Sequence, residues 1–97
     1  MPITEKYDFD SLVNDSQRMV IQELETQLAA AGADVCTCQD CVLDMAALAL
    51  NNVKPTYQVS LMGRVYAQSG SNAQLAQSVE RAVRTAIARI KSNPSHD

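Results

Sequence analysis

Apolar residues recur at helical spacing in three stretches of the chain, separated by polar or proline-containing segments. The first stretch predicts a helix from about residue 14 to residue 31, because its apolar positions fall on one face. Asn14 or Asp15 is expected to cap this helix, and Gln17 stands three residues after Asn14, as in a capping box. Gly32 is well placed to end it as the residue just past the C-cap. The apolar face consists of Val13, Val20, Ile21, Leu24 and Leu28.

The second stretch, from about Gln39 to Asn51, is apolar on almost every side. A helix of this kind has to be covered on most of its sides. A chain of 97 residues has little surface with which to cover it, so we expect a homodimer with this helix in the interface. The helix should end before Pro55, because the residue that precedes a proline is disfavoured in the helical conformation. The expected buried stripe is Val42, Met45, Ala46, Ala49 and Leu50, and further apolar positions are Leu43, Ala47 and Leu48.

A third helix is expected from the polar loop at residues 69–72 to about Ser92. Ser71 and Gln74 have the spacing of a second capping box, and Pro94 follows the expected end. This helix also carries most of the cationic side chains of the chain. Its expected apolar face is Leu75, Val79, Ala82, Val83, Ala86, Ile87 and Ile90.

Between the second and third helices, residues 57–67 have the weakest helical pattern. Tyr57, Val59 and Leu61 alternate with polar residues, which favours an extended backbone. A single glycine at position 63 is not enough to predict a hairpin. The elements together predict an all-α fold of three main helices with a short extended segment. The length indicates a single domain, which we place at residues 12–97, after a flexible N-terminal arm at residues 1–11.

The start of the chain, Met1 to Lys6, lacks the basic-then-apolar pattern of a signal peptide. No apolar run approaches the length needed to cross a membrane. Clustered cysteines without an export signal are typical of a reducing compartment. We therefore expect a cytoplasmic protein with no membrane insertion.

The net charge of −3 conceals an asymmetry along the chain. Residues 1–53 hold two basic and nine acidic side chains, a net charge of −7, whereas residues 54–97 hold six basic and two acidic side chains, a net charge of +4. One interpretation is that the two halves pack on each other or on a second copy. The other is an anion-binding site in the second half. A broad nucleic-acid-binding surface is not expected, because the whole chain is acidic.

All three cysteines of the chain stand in one C-x-C-x-x-C pattern, at Cys36, Cys38 and Cys41, where the second helix begins. The spacing favours a soft cation, because Cys38 and Cys41 share one side of a first helical turn and a helix N-terminus stabilises negative charge. Zinc is the first choice, as a structural ion. A dithiol redox site at Cys38 and Cys41 and buried cysteines without a ligand remain alternatives. An iron–sulfur cluster usually takes four cysteines, and this chain has three, which argues against such a cluster.

A structural zinc site needs a fourth ligand. His96 is the only histidine, and it either completes a site of three cysteines and one histidine or belongs to a disordered tail. Asp34, Asp44 or a water are the other candidates. No Ser–His pair, motif of paired carboxylates or phosphate-binding loop is present. We therefore predict that the protein is not an enzyme and has no catalytic residues.

Polar and aromatic residues in the middle of the chain have two interpretations. Tyr57, Arg64 and Tyr66 either pack at the edge of the domain or form a ligand platform. Arginine presents a planar fork to a phosphate or a guanine edge, and a tyrosine ring stacks on a base.

Several of these segments together resemble the ComFB family of small bacterial proteins, named after a late-competence operon. The specific part is the block from the cysteines through Asp44 and the run Ala47-Leu48-Ala49-Leu50-Asn51 to Lys54-Pro55-x-Tyr57. Asn14, Arg18, Val20, Glu23 and Leu24 are similar to the family's first helix, Asn93-Pro94-Ser95-His96 is similar to its tail, and the resemblance covers roughly residues 12–96. Some members carry a fourth cysteine near the C-terminus, which this sequence lacks, so the resemblance does not supply the fourth ligand here.

The resemblance implies a non-enzymatic regulatory protein affecting competence, motility or related surface behaviour, with an unknown protein effector. Some ComFB-like proteins, particularly from cyanobacteria, are associated with cyclic dinucleotide messengers, which makes cyclic di-GMP a candidate ligand. The alternative function is that of a thiol-based redox or metal-handling protein. The residues suited to bind a cyclic dinucleotide are Arg18, Tyr57, Arg64, Tyr66, Arg81 and Arg84.

Overall fold

Three long helices dominate the computed structural model, which describes residues 2–59 and 72–94. They are α2 (Asp15–Ala30), α3 (Gln39–Leu50) and α4 (Asn72–Ser92), and each packs against the other two. The expected helix bounds are confirmed within one or two residues. The fold is mainly α, and it includes a small two-stranded sheet that the sequence pattern did not predict.

The core lies where the three long helices meet. Each helix contributes residues at the expected three- and four-residue spacing, and Met45 and Val83 are fully buried. The buried apolar residues are Val20, Leu24, Cys41, Met45, Ala49, Val53, Val79, Val83 and Ala86.

Asn14 caps α2, as the sequence predicted. Its side-chain oxygen accepts hydrogen bonds from the backbone N–H of Ser16 at 3.2 Å and from that of Thr56 at 2.8 Å. At the other end, Ala31 is the C-cap and Gly32 follows it, but Gly32 does not adopt a left-handed backbone. The extended conformation of Ala31 turns the chain out of the helix instead.

The two-stranded sheet joins the start of α2 to the segment after α3. Strand β1 (Val13–Asn14) pairs antiparallel with β2 (Tyr57–Gln58), with Val13 opposite Gln58. An extended backbone at Tyr57 was expected, and the structure adds its pairing partner. The expected continuation of this segment through residue 67, and the Ser71 cap of α4, lie outside the described residues.

The segment before β1 contains only short helical turns. These are α1 (Ile3–Lys6) and a 3-10 turn (Phe9–Ser11), and neither buries a side chain. The N-terminal arm therefore contributes nothing to the core, and its flexibility stays a prediction. None of the helices in the described ranges combines the length and apolar character needed to span a bilayer.

Candidate metal site and ligand grooves

The three cysteines converge at the start of α3. Their Sγ atoms all lie within 4.8 Å of one another. All three are among the described residues, and none of them forms a disulfide. Among residues 2–59 and 72–94, no aspartate or glutamate belongs to this cluster.

Local backbone geometry explains why the sulfur atoms converge. Cys38 is the N-cap of α3, and its Sγ accepts a hydrogen bond from the backbone N–H of Cys41 at 3.4 Å. It thereby occupies the position that Ser, Thr, Asp or Asn usually takes. Cys41 lies on the buried face of α3, whereas Cys38 is exposed. Half-buried Cys36 follows a turn in which the Val35 N–H donates to the Gly32 carbonyl at 3.2 Å.

The sulfur positions fit a zinc ion. A Zn–S bond of about 2.3 Å in a tetrahedron places two sulfur atoms about 3.8 Å apart. Three sulfur atoms within 4.8 Å of one another need only small side-chain adjustments to reach that spacing. A set of soft thiolate donors suits zinc better than magnesium or calcium.

An ion pair holds the C-terminal end of α4 beside the loop that leads into the cysteines. Lys91 Nζ lies 2.7 Å from Asp34 Oδ2. The hydrogen bond from Lys91 lowers the pKa of Asp34 below its ordinary value, and a backbone hydrogen bond acts in the same direction. The predicted ligand His96 lies outside the described residues, and its role stays a prediction.

A groove along the outer side of α2 brings together two of the predicted ligand residues, Arg18 and Tyr57. The Arg18 guanidinium donates to both carboxylate oxygens of Asp15, at 3.0 and 3.2 Å, and to Gln22 Oε1 at 3.2 Å. The hydrogen bond with Asp15 raises the pKa of Arg18 above its ordinary value. The groove is lined by Leu12, Val13, Asn14, Gln17, Arg18, Ile21, Gln22 and Tyr57.

The other predicted ligand residues are not part of that groove. Arg81 lines a separate cavity between α3 and α4. Arg84 Nη2 pairs with Glu80 Oε1 at 2.6 Å on the exposed side of α4. Arg64 and Tyr66 lie outside the described residues. The described ligand candidates are therefore divided among different surfaces, and their roles stay predictions.

Sequence patterns did not single out three polar residues near β2. Buried Ser16 donates from Oγ to the Lys54 carbonyl at 2.7 Å, and this Oγ lies 3.0 Å from Thr56 Oγ1. Gln58 is only 5% exposed, and its amide has no hydrogen-bond partner among the described residues. The partners of Ser16 lie far along the chain, so no local spacing could have found them.

Two comparisons with known proteins found a match for this chain. The family model described as "Late competence development protein ComFB" matches residues 13–94. A solved structure of the late competence protein ComFB from Bacillus subtilis matches with a TM-score of 0.68 and 27% sequence identity, covering 87% of this chain and 92% of that one. No curated protein matches the chain. The family match spans most of the sequence and includes the cysteines, α2, α3 and α4, and on this ground the chain belongs to the ComFB family.

Proposed function

We propose that this protein is a non-enzymatic regulator whose three cysteines hold a structural zinc ion. The observation that carries the proposal is the convergence of three sulfur atoms within 4.8 Å at the first turn of α3. Cys41 belongs to the core and Cys36 packs against it, so a bound ion would join the loop before α3 to the centre of the fold. Small domains often need such a link, because a short chain buries little surface.

The direct test of this proposal is the effect of a chelator on thermal unfolding. Zinc bound only to the folded state raises the melting temperature, so we expect EDTA to lower it and added zinc to restore it. Cys38→Ser should melt at the lower temperature with or without EDTA. A wild-type melting temperature that does not respond to EDTA or to zinc would overturn the proposal.

We infer that His96 is the fourth zinc ligand. The ion pair between Lys91 and Asp34 supports this assignment, because it fixes the end of α4 close to the loop that contains Cys36. The described chain ends at Pro94, and two further residues extend by up to about 7 Å.

The groove at Arg18 and Tyr57 supports a second part of the proposal, binding of cyclic di-GMP. Tyr57 is 62% exposed and presents an aromatic face to a base. Arg18 suits a phosphate or a guanine edge. The Arg18 side chain is 54% exposed, whereas its partner Asp15 is 17% exposed, so a ligand phosphate competes with this carboxylate for the guanidinium group.

Calorimetry with cyclic di-GMP, run beside cyclic AMP and GTP, tests this part. Heat should appear with cyclic di-GMP, and Arg18→Ala or Arg64→Ala should weaken binding by about 1–3 kcal/mol. Tyr57→Ala should also weaken it, whereas Leu43→Ala, which removes an exposed side chain on α3 away from this groove, should not. If none of the three nucleotides binds, the messenger function is wrong, and a protein-interaction role for the family fold remains.

We also propose a homodimer, with an interface different from the one that the sequence pattern favoured. Within one chain α3 already buries Cys41, Met45 and Ala49, and Leu43 is its exposed large apolar residue in the described structure. Apolar exposure is concentrated instead on the arm, the outer face of α2 and the sheet. A two-fold interface there would place two copies of the groove together for a two-fold ligand. Leu12, Val13, Ile21 and Tyr57 line the groove together, and the other exposed apolar residues of these segments are Ile3, Tyr7, Phe9 and Val59.

Light scattering at micromolar concentration tests the dimer. We expect a mass of two chains, and Ile21→Asp should shift it towards one chain, because a charge in an apolar interface is costly. Leu43→Asp is the matched control on α3 and should leave the dimer intact. A wild-type monomer would contradict the proposed dimer.

The arrangement of two thiols favours a second candidate function, that of a thiol-based redox or metal-handling protein. Cys38 is exposed at the helix N-terminus and Cys41 is buried three residues later, which is the asymmetry of an attacking and a resolving thiol. Rapid and reversible formation of a Cys38–Cys41 disulfide under mild oxidant would favour this function. Zinc content that survives the same oxidant would favour the structural site.

A further inference from the structure

A cavity of about 270 Å³ lies between α3 and α4, near the C-terminal end of α3. Its apolar wall is formed by Leu48, Ala82 and Ala86. The small alanine side chains leave room between the two helices at this point. The volume is close to the lower limit of typical small-molecule sites.

The rest of the wall comes from one polar row along α4. Ser78, Arg81, Thr85 and Arg89 line the cavity at intervals of three and four residues, the spacing that places side chains along one side of a helix. Arg81 and Arg89 make no ion pair with any residue in the ranges 2–59 and 72–94. The other two cations of α4 differ, since Arg84 pairs with Glu80 and Lys91 pairs with Asp34.

The opposite wall does not cancel this positive charge. Anions are disfavoured at the C-terminus of a helix, where carbonyl groups lack partners. At the end of α3, however, Asn52 Nδ2 donates to the Leu48 carbonyl at 2.9 Å, and the Asn51 N–H donates to the Ala47 carbonyl at 3.0 Å. The guanidinium groups of Arg81 and Arg89 therefore make the electrostatic potential in the cavity positive.

We propose that this cavity binds a small molecule carrying two phosphate groups, of the diphosphate class. Arginine offers a planar fork that binds phosphate oxygens in pairs. Arg81 and Arg89 are eight residues apart, which places their backbones about 12 Å apart along the helix axis. Two linked phosphates suit this separation better than one. The Thr85 hydroxyl is a donor between the two cations, and the Ser78 hydroxyl lies one turn before Arg81.

This site goes beyond the proposed function, because none of its lining residues belongs to the Arg18–Tyr57 groove. Cyclic di-GMP binding to that groove can fail while diphosphate binding succeeds, and the reverse also holds. The two proposals are therefore tested separately.

The experiment is an NMR titration of the full-length protein with inorganic pyrophosphate and, in parallel, inorganic phosphate. Amide shifts should be concentrated at residues 48–52 and 78–89, and pyrophosphate should bind at least about tenfold more tightly than phosphate. Arg81→Gln and Arg89→Gln should each weaken pyrophosphate binding at least about tenfold. Arg84→Gln is the matched control, because it removes the same charge from the same helix outside this cavity, and it should bind as the wild type does.

Three results would overturn the proposal. Equal weakening by Arg84→Gln would show general attraction to a basic helix. Shifts confined to residues 36–41 would show that pyrophosphate acts on the metal site instead. Absence of shifts at millimolar pyrophosphate would show that the cavity is no anion site. Arg81→Lys keeps the positive charge and should retain part of the binding. This result would show that weaker binding at this position reflects the lost charge and not a lost fold.

Discussion

Lys91 Nζ lies 2.7 Å from Asp34 Oδ2, so the last turn of α4 is joined to the loop just before the cysteine cluster. Both side chains are largely exposed, and such pairs contribute little to global stability. We expect its effect to be positional, because Lys91 lies in the last turn of α4 and Asp34 stands two residues before Cys36.

Removal of this ion pair should affect metal binding more than folding. We expect Lys91→Ala to change the free energy of unfolding by less than about 1 kcal/mol, and to weaken zinc binding several-fold because the tail is less well positioned. Competition with a chromophoric chelator measures the zinc affinity. Arg84→Ala removes another surface ion pair from α4 and should leave the affinity unchanged. Equal effects of the two variants would contradict the positional role of Lys91.

His96→Ala tests the fourth ligand itself. If the imidazole binds zinc, its loss should weaken zinc binding by more than the roughly 10–100-fold expected for an indirect partner. Truncation after Asn93 should have the same effect, whereas Ser95→Ala should have none. An unchanged affinity in both the alanine variant and the truncated protein would exclude His96 and favour an aspartate or a water.

Asn14 joins helix α2 to the segment that precedes β2, since its Oδ1 accepts from the N–H groups of Ser16 and Thr56. Asn14→Ala should destabilise the protein by about 1–2 kcal/mol, the effect of losing a helix cap. Asn14→Asp keeps an acceptor oxygen and should lose much less. Urea unfolding measures both variants. Similar losses in the two would show that the amide group has a role other than accepting these bonds.

Met45 and Leu43 provide a contrast within α3. Met45 is fully buried and Leu43 is 58% exposed. Met45→Ala should lower the free energy of unfolding by about 2–5 kcal/mol because it leaves a cavity in the core. Leu43→Ala should be nearly neutral in urea unfolding. A large loss of stability for Leu43→Ala, together with a weaker dimer by light scattering, would show that α3 belongs to the dimer interface.

The three long helices could be predicted because each repeats apolar residues at helical spacing and carries its own terminal residues. Asn14, Gln39 and Ser92 lie at or next to the observed helix ends. The cysteine cluster could be predicted for a similar reason, since Cys38 and Cys41 belong to the first turn of α3 and Cys36 stands only two residues before Cys38. These features depend on residues that are close together in the chain.

Features that depend on distant residues could not be predicted. The partner strand of Tyr57 precedes α2, and the capping oxygen of Asn14 also binds Thr56. The division of the arginines is another example, because Arg81 and Arg84 are three residues apart, yet Arg81 lines the cavity between α3 and α4 and Arg84 pairs with Glu80. Helical spacing gives the direction of a side chain around its own helix, but not which neighbouring helix it meets.

The zinc content of the purified protein tests the central claim most directly. Elemental analysis of the wild-type protein should give close to one zinc per chain. Cys38→Ser and Cys41→Ser should lose that zinc together with much of the thermal stability, because both thiols bind the ion that joins the loop to α3. A wild-type protein that is isolated without metal and is fully folded, with a melting temperature that added zinc does not change, would contradict the claim.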